Sequence, residues 1–194
     1  MSANKPSGQR GTAAVEFALV AMIFLTLLFG IIELARSMYL FNTLKEVTRR
    51  AANDAANIDF RDQSRLDQVR QRAIFRTNSG ELLLGDPVTD QSILIDYLAV
   101  TRDAGGKLAL APIATGSLPS CVACNRVTCM RDPNDSSCIR FVRARICAGG
   151  SDGTCQAVQY KTLFSLLNLH FALPTSPTLV PAESLGFVQG AICP

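Results

Sequence analysis

A stretch from Phe17 to Ile32, interrupted only by Thr26 and Gly30, is made of apolar residues on every face. It falls a little short of the roughly 20 residues that cross a bilayer as a helix, and Thr12 to Val15 before it, or Leu34 and Ala35 after it, supply the missing length. A helix apolar all round exceeds what a soluble domain of this size needs for its core. The flanks point the same way: Lys5 and Arg10 precede the stretch, and Arg36, Tyr39 and Lys45 follow it, with Tyr39 at interface depth. A secretory signal is the rival reading. The apolar run is longer than a signal core, however, and no small-x-small cleavage site follows it. Helical register continues instead through Ile32-Glu33-Leu34-Ala35-Arg36 and through Asn42 to Ala56, which contain neither Gly nor Pro. The expectation is one helix from about Thr12 to about Asn57, on the order of 65–70 Å long, apolar in its first half and amphipathic in its second.

One residue in this helix needs its own explanation. Glu16 stands five positions past Gly11, at the entrance to the apolar run. A carboxylate in a membrane helix is disfavoured by roughly 2.5–3.5 kcal/mol at the bilayer centre and by less near the interface. A plain anchor has no use for it; a carboxylate snorkelling to the surface is the bland alternative.

Gly11-Thr12-Ala13-Ala14-Val15-Glu16-Phe17-Ala18-Leu19-Val20 resembles the start of type IV pilins, and most closely the TadE-like pseudopilins of tight-adherence (Flp) pilus systems. Ile32-Glu33-Leu34-Ala35-Arg36 and Arg49-Arg50-Ala51-Ala52 match too. Phe17 stands where major pilins often carry Tyr, and Ala35 replaces a frequent glycine. The resemblance implies a prepilin peptidase cutting after Gly11, with Thr12 as the new N-terminus. Glu16 would be read during processing or assembly, pairing with the Thr12 amine of a neighbouring subunit, a pairing that relieves the burial of both charges in lipid. The partners so implied are that peptidase, other pilins or pseudopilins, the inner-membrane assembly platform and membrane lipid. The implied location is the bacterial inner membrane, single-pass, with the C-terminal domain in the periplasm. The positive charges alone do not set this orientation, because they flank the span on both sides. Glu33 and Arg36, three apart on one face, are expected to pair at the outer interface in a structural role.

Seven cysteines, Cys121, Cys124, Cys129, Cys138, Cys147, Cys155 and Cys193, all lie in the C-terminal half. In an oxidising compartment such a cluster reads as a disulfide framework, and an odd number leaves at least one thiol free, intermolecular or otherwise occupied. Two rival readings use Cys121-Val-Ala-Cys124. The thiolates of Cys121, Cys124, Cys129 and Cys138 could hold zinc, or the CxxC could be a redox pair, which would need a strand before it and a helix after it. It lies between Pro119 and Pro133, in what reads as a loop. Cys147 and Cys155 flank a glycine turn and could staple it.

The remaining chain reads as a small antiparallel sheet with one further helix. Leu66, Val69 and Ala73 recur at helical spacing from about Gln63 to Arg76. Ser92 to Thr101 is β-rich and turns at Asp103 to Gly106 into a strand from Lys107 to Ala111. Cys138 to Cys147 alternates, and Gln156 to Phe164 is expected to pair back against it. Leu163 to Leu173 reads as a short helix or packed loop, and Leu185 to Ile192 as a last strand. The fold class is therefore α+β: a leader at 1–11, a long helix at 12–57, and an extracytoplasmic domain at 58–194 with a cysteine-rich loop at 119–155. Arg61, Arg65, Arg70, Arg72 and Arg76 are interspersed with aspartates, and a net charge of +3 is too small to argue for nucleic acid. The single histidine, His170, lies in an apolar stretch without an adjacent nucleophile, and no phosphate loop, HExxH or paired-carboxylate motif occurs. The expected function is a non-catalytic minor pseudopilin that primes or caps a pilus, with no cofactor and no metal. The alternative is an uncleaved, membrane-anchored binding protein.

Overall fold

A computed structural model describes residues 10–103, 105–149, 154–164 and 169–193. The leader expected at 1–11 lies almost wholly outside the described residues, as do positions 150–153 of the glycine turn and 165–168 of the apolar segment. The chain forms two compact units: residues 1–39 with 162–169, and residues 40–161 with 170–194.

The first unit is built on the opening turns of helix α1 (Arg10–Ala55). From Val15 to Ile32 its large apolar side chains are mostly exposed, and this helix is long and apolar enough to cross a membrane. The hydroxyl side chains of Thr26 and Ser37 donate to Met22 O and Leu34 O, each at 2.8 Å, so neither stands bare against an apolar surround. The ring of Phe29 stacks on Phe164 at 4.5 Å.

The second unit begins where α1 becomes amphipathic. Leu40, Leu44, Val47, Ala51 and Ala55 recur at steps of three and four and are fully buried. They meet Phe60 and helix α2 (Gln63–Ala73), whose Leu66, Val69 and Ala73 form its buried stripe. Asp62 caps α2 by accepting from Arg65 N at 3.1 Å. The helix stops at Ala73, short of Arg76, because Phe75 adopts a left-handed φ of 63°.

The sheet has four antiparallel strands in the order β2 (Leu108–Pro112), β1 (Ile93–Arg102), β3 (Phe141–Ile146), β4 (Thr178–Pro181). In β3, Val142, Ala144 and Ile146 face the core, while Arg143 and Arg145 both reach Asp96 of β1, at 2.8 and 2.7 Å. Thr48 of α1 is fully buried and shares a 2.9 Å hydrogen bond with Thr178 of β4.

Three expectations are corrected. Gln156 to Phe164 does not pair with β3, because β3 has β1 on one edge and β4 on the other. That segment packs by side chains instead: Tyr160 is buried and stacks on Phe171 at 4.4 Å, with one isolated bridge from Gln159 to Ala172. Leu185 to Ile192 is not a strand; Leu185 and Gly186 take φ of 48° and 73° and turn the chain. The stretch between Pro119 and Pro133 is not a loop but holds helix α3 (Val122–Arg131), ten residues with no Gly or Pro.

Candidate functional site

The N-terminal turns of α1 carry the residues singled out for processing. Gly11, Thr12, Glu16 and Phe17 are all exposed, Phe17 to 76 %. A Cβ built on Gly11 would meet nothing within 4 Å, so packing makes no demand for glycine there. Nor does the backbone, which is helical at that point.

Further along the same unit, Glu33 and Arg36 are buried, at 1 % and 7 % exposure. Arg36 Nη1 lies 3.5 Å from Glu33 Oε1, and the Leu163 amide donates to both carboxylate oxygens at 3.1 and 3.3 Å. Loss of either charge would therefore leave its partner in a place poorly served by water, a different situation from an exposed pair worth tenths of a kcal/mol.

The cysteines sort into two simple pairs and one cluster of three. Cys129 pairs with Cys138 and Cys147 with Cys155, each with Cα atoms 5.0 Å apart. The four-thiolate set Cys121, Cys124, Cys129 and Cys138 is thus not brought together. Instead Cys121, Cys124 and Cys193 converge, their sulfurs all within 4.8 Å of one another. Cys121 is the N-cap of α3, and its Sγ accepts from Cys124 N at 3.0 Å. Ser120 Oγ donates to Cys124 Sγ at 3.2 Å. Cys124 is buried, Cys121 half-buried and Cys193 exposed. Within α3, Asn125 is buried, and its Oδ1 accepts from Ile139 N at 2.8 Å, tying the helix to the run into β3.

The helix after Cys121 and the arrival of Cys193 were the parts missed from sequence. Flanking prolines suggested a loop, although Val122 to Arg131 has no helix breaker. Nothing in spacing links residue 193 to residue 124; only the turn at Leu185-Gly186 brings the tail back.

Residues 11–53 match the family model described as TadE-like protein. No curated protein and no solved structure matches the chain. The matched segment coincides with α1 almost from end to end.

Proposed function

From a TadE-like α1 as premise, we propose that the chain is a non-catalytic minor pseudopilin of a Tad (Flp) pilus system. It is inserted in the bacterial inner membrane by the first half of α1, with the second unit in the periplasm. A prepilin peptidase cuts after Gly11 and frees Thr12 as the N-terminus. Glu16 then pairs with the Thr12 amine of a neighbouring pilin or pseudopilin, and the assembly platform extracts the helix to prime or cap the fibre. Leaving the bilayer is feasible because neighbouring helices replace the lipid contacts of the apolar face.

The observation that carries this reading is the exposed Gly11…Glu16-Phe17 segment, which has no structural demand for its glycine and lies inside the TadE-like match. The disulfides suit an oxidising compartment. The test is the intact mass and N-terminal sequence of the protein taken from membranes of its native host. A start at Thr12 is expected, and Glu16→Ala is expected to block incorporation into pili while leaving the protein folded. A mature chain still carrying residues 1–11 would overturn the proposal in favour of an anchored binding protein.

A further inference from the structure

Strand β2 pairs with β1 only from Leu98 to Arg102, whereas β3 lies along β1 from Ile93 to Leu98. The first half of β1 therefore has a neighbouring strand on one side only. Which backbone groups face the open side follows from the alternation of antiparallel hydrogen bonds. Even-numbered residues serve β3: Leu98 O accepts from Arg140 N at 2.9 Å, and Ser92 O, just ahead of the strand, accepts from Cys147 N at 2.8 Å. Odd-numbered residues face the other way. Tyr97 O accepts from Ile113 N at 2.8 Å, and Ile93 O from Arg70 Nε at 3.2 Å. Between them Ile95 turns its N–H and C=O to the open side, where no strand of the described residues takes them.

That side is a cleft of about 550 Å³. On one face of the sheet, Arg143 and Arg145 reach from β3 to Asp96 of β1. A single carboxylate oxygen, Asp96 Oδ2, accepts from Arg143 Nε and Nη2 at 3.0 and 2.8 Å and from Arg145 Nη2 at 2.7 Å. On the other face lie the buried Phe60 and, from α2, the buried Leu66 and Arg70. Three guanidinium groups against one carboxylate leave the lining with positive charge in excess; Asp67, which holds Arg70 at 2.6 Å, lies outside the lining. Two buried polar atoms of lining residues, Tyr97 Oη and Arg145 Nε, have no hydrogen-bond partner among the described residues. That is a local cost which folded chains tolerate mainly at functional sites.

We propose that this cleft accepts an extended segment of a partner protein as an added strand, with the side-chain pattern acidic–apolar–acidic. The central residue pairs with Ile95: its N–H donates to Ile95 O and its carbonyl accepts from Ile95 N. Residues directly opposite each other share a face of the sheet. The central side chain therefore lies with that of Ile95, toward Phe60 and Leu66, and is apolar. Its two neighbours point to the opposite face, where the guanidinium groups gather on Asp96, and are acidic. A further carboxylate there engages arginine N–H groups that now crowd on one oxygen, in hydrogen bonds strengthened by charge. With Ile93 O and Tyr97 O already taken, the site suits a short segment. What the second unit binds is independent of whether Gly11 is cut, and N-terminal sequencing of the same sample reads that separately.

The test uses full-length protein purified in detergent and the peptide Thr-Glu-Val-Glu-Thr, labelled with fluorescein at its N-terminus and amidated at its C-terminus. Saturable binding by fluorescence anisotropy is expected, with Kd below about 1 mM. The counterpart Thr-Gln-Val-Gln-Thr is expected to bind about tenfold more weakly or worse. Hydrogen exchange at the Ile95 amide, read by NMR, is expected to slow when the acidic peptide is bound. Gln63 is exposed, lines the cleft and opens α2, where an added carboxylate suits the helix dipole. Gln63→Glu is therefore expected to weaken the acidic peptide several-fold without lowering the unfolding midpoint. No saturable binding in that range, equal binding of the two peptides, unchanged exchange at Ile95 in the bound state or unchanged affinity in Gln63→Glu would each overturn the proposal. Displacement of the peptide by an equal concentration of inorganic phosphate would do so too, leaving a plain anion site.

Discussion

Tyr97 and Glu46 show opposite ways in which a single polar group meets its surroundings. Tyr97 of β1 is buried, its ring edge-on to Phe60 at 5.7 Å, and among the described residues its hydroxyl finds no hydrogen-bond partner. Burial pushes that phenol above its ordinary range. A buried donor without a partner costs about 1–3 kcal/mol, so removing it should help. Tyr97→Phe is expected to raise stability by about 1 kcal/mol, read as a higher urea midpoint at unchanged slope. Glu46 is the reverse case. Arg49, through two bonds of 2.8 Å, and then Arg50, at 2.7 Å, lower its carboxyl from 4.5 to about 2. With the folded value below the unfolded one, the contribution to stability is present above pH 4.5 and is lost as pH falls through about 2. The group is on the surface, where salt screens it. The expected result is a carboxyl NMR titration with a midpoint near 2 that moves upward in high salt.

At the scale of the element, α3 shows what a helix needs when its amphipathic signal is weak. Val122, Ala123, Cys124 and Asn125 are buried in its first turn, while Val127 and Met130 are exposed, so no long apolar stripe announces it. It is held by the cap at Cys121 and by Asn125, whose amide serves Ile139 on both sides: Oδ1 accepts from Ile139 N at 2.8 Å and Nδ2 donates to Ile139 O at 3.5 Å. Asn125→Ala leaves the Ile139 amide buried without a partner and is expected to cost about 1–3 kcal/mol, measured by thermal or urea unfolding. The contrast with other elements explains what could be read in advance. The 3.6-residue stripe of α2 and the strict alternation of β3 are local signals, and both elements lie within a few residues of their expected positions. β4 has no such signal: Pro177 precedes its four residues and Pro181 is the last of them, a composition that only an edge strand tolerates. Gln156 to Phe164 has strand composition but no free edge of β3 to join, a fact that depends on β4 and lies outside its own sequence.

The whole molecule is closed by contacts between residues far apart in the chain. Leu185 N donates to Ala56 O at 3.0 Å and Ser184 Oγ to Asn57 O at 3.5 Å, so the carbonyls just past the end of α1 are satisfied from far along the chain. The turn that allows this brings Gly186 against the backbone of Asp59, where a Cβ would lie 2.6 Å from Asp59 N, and its φ of 73° is left-handed. Gly186→Ala should therefore cost about 2 kcal/mol or more, because strain in φ adds to a clash with backbone that cannot step aside; the check is the unfolding midpoint, with wild-type helix content below the transition. At this scale the N-terminal segment was legible because its signals are contiguous: Gly11, Glu16, Phe17 and the apolar run stand in order along one helix. The three-sulfur cluster was not, since Cys193 joins it only through the folded path of the tail.

That long-range closure also bears on the order in which the protein is made. The last turn of α1 emerges early in synthesis, but the groups that satisfy its end belong to residues translated after most of the second unit. A chain interrupted before Ser184 would carry an intact α1 whose final carbonyls stay bare and whose core face stays partly open. Such a fragment would be marked for proteolysis by the same surface that, in the finished protein, is sealed last.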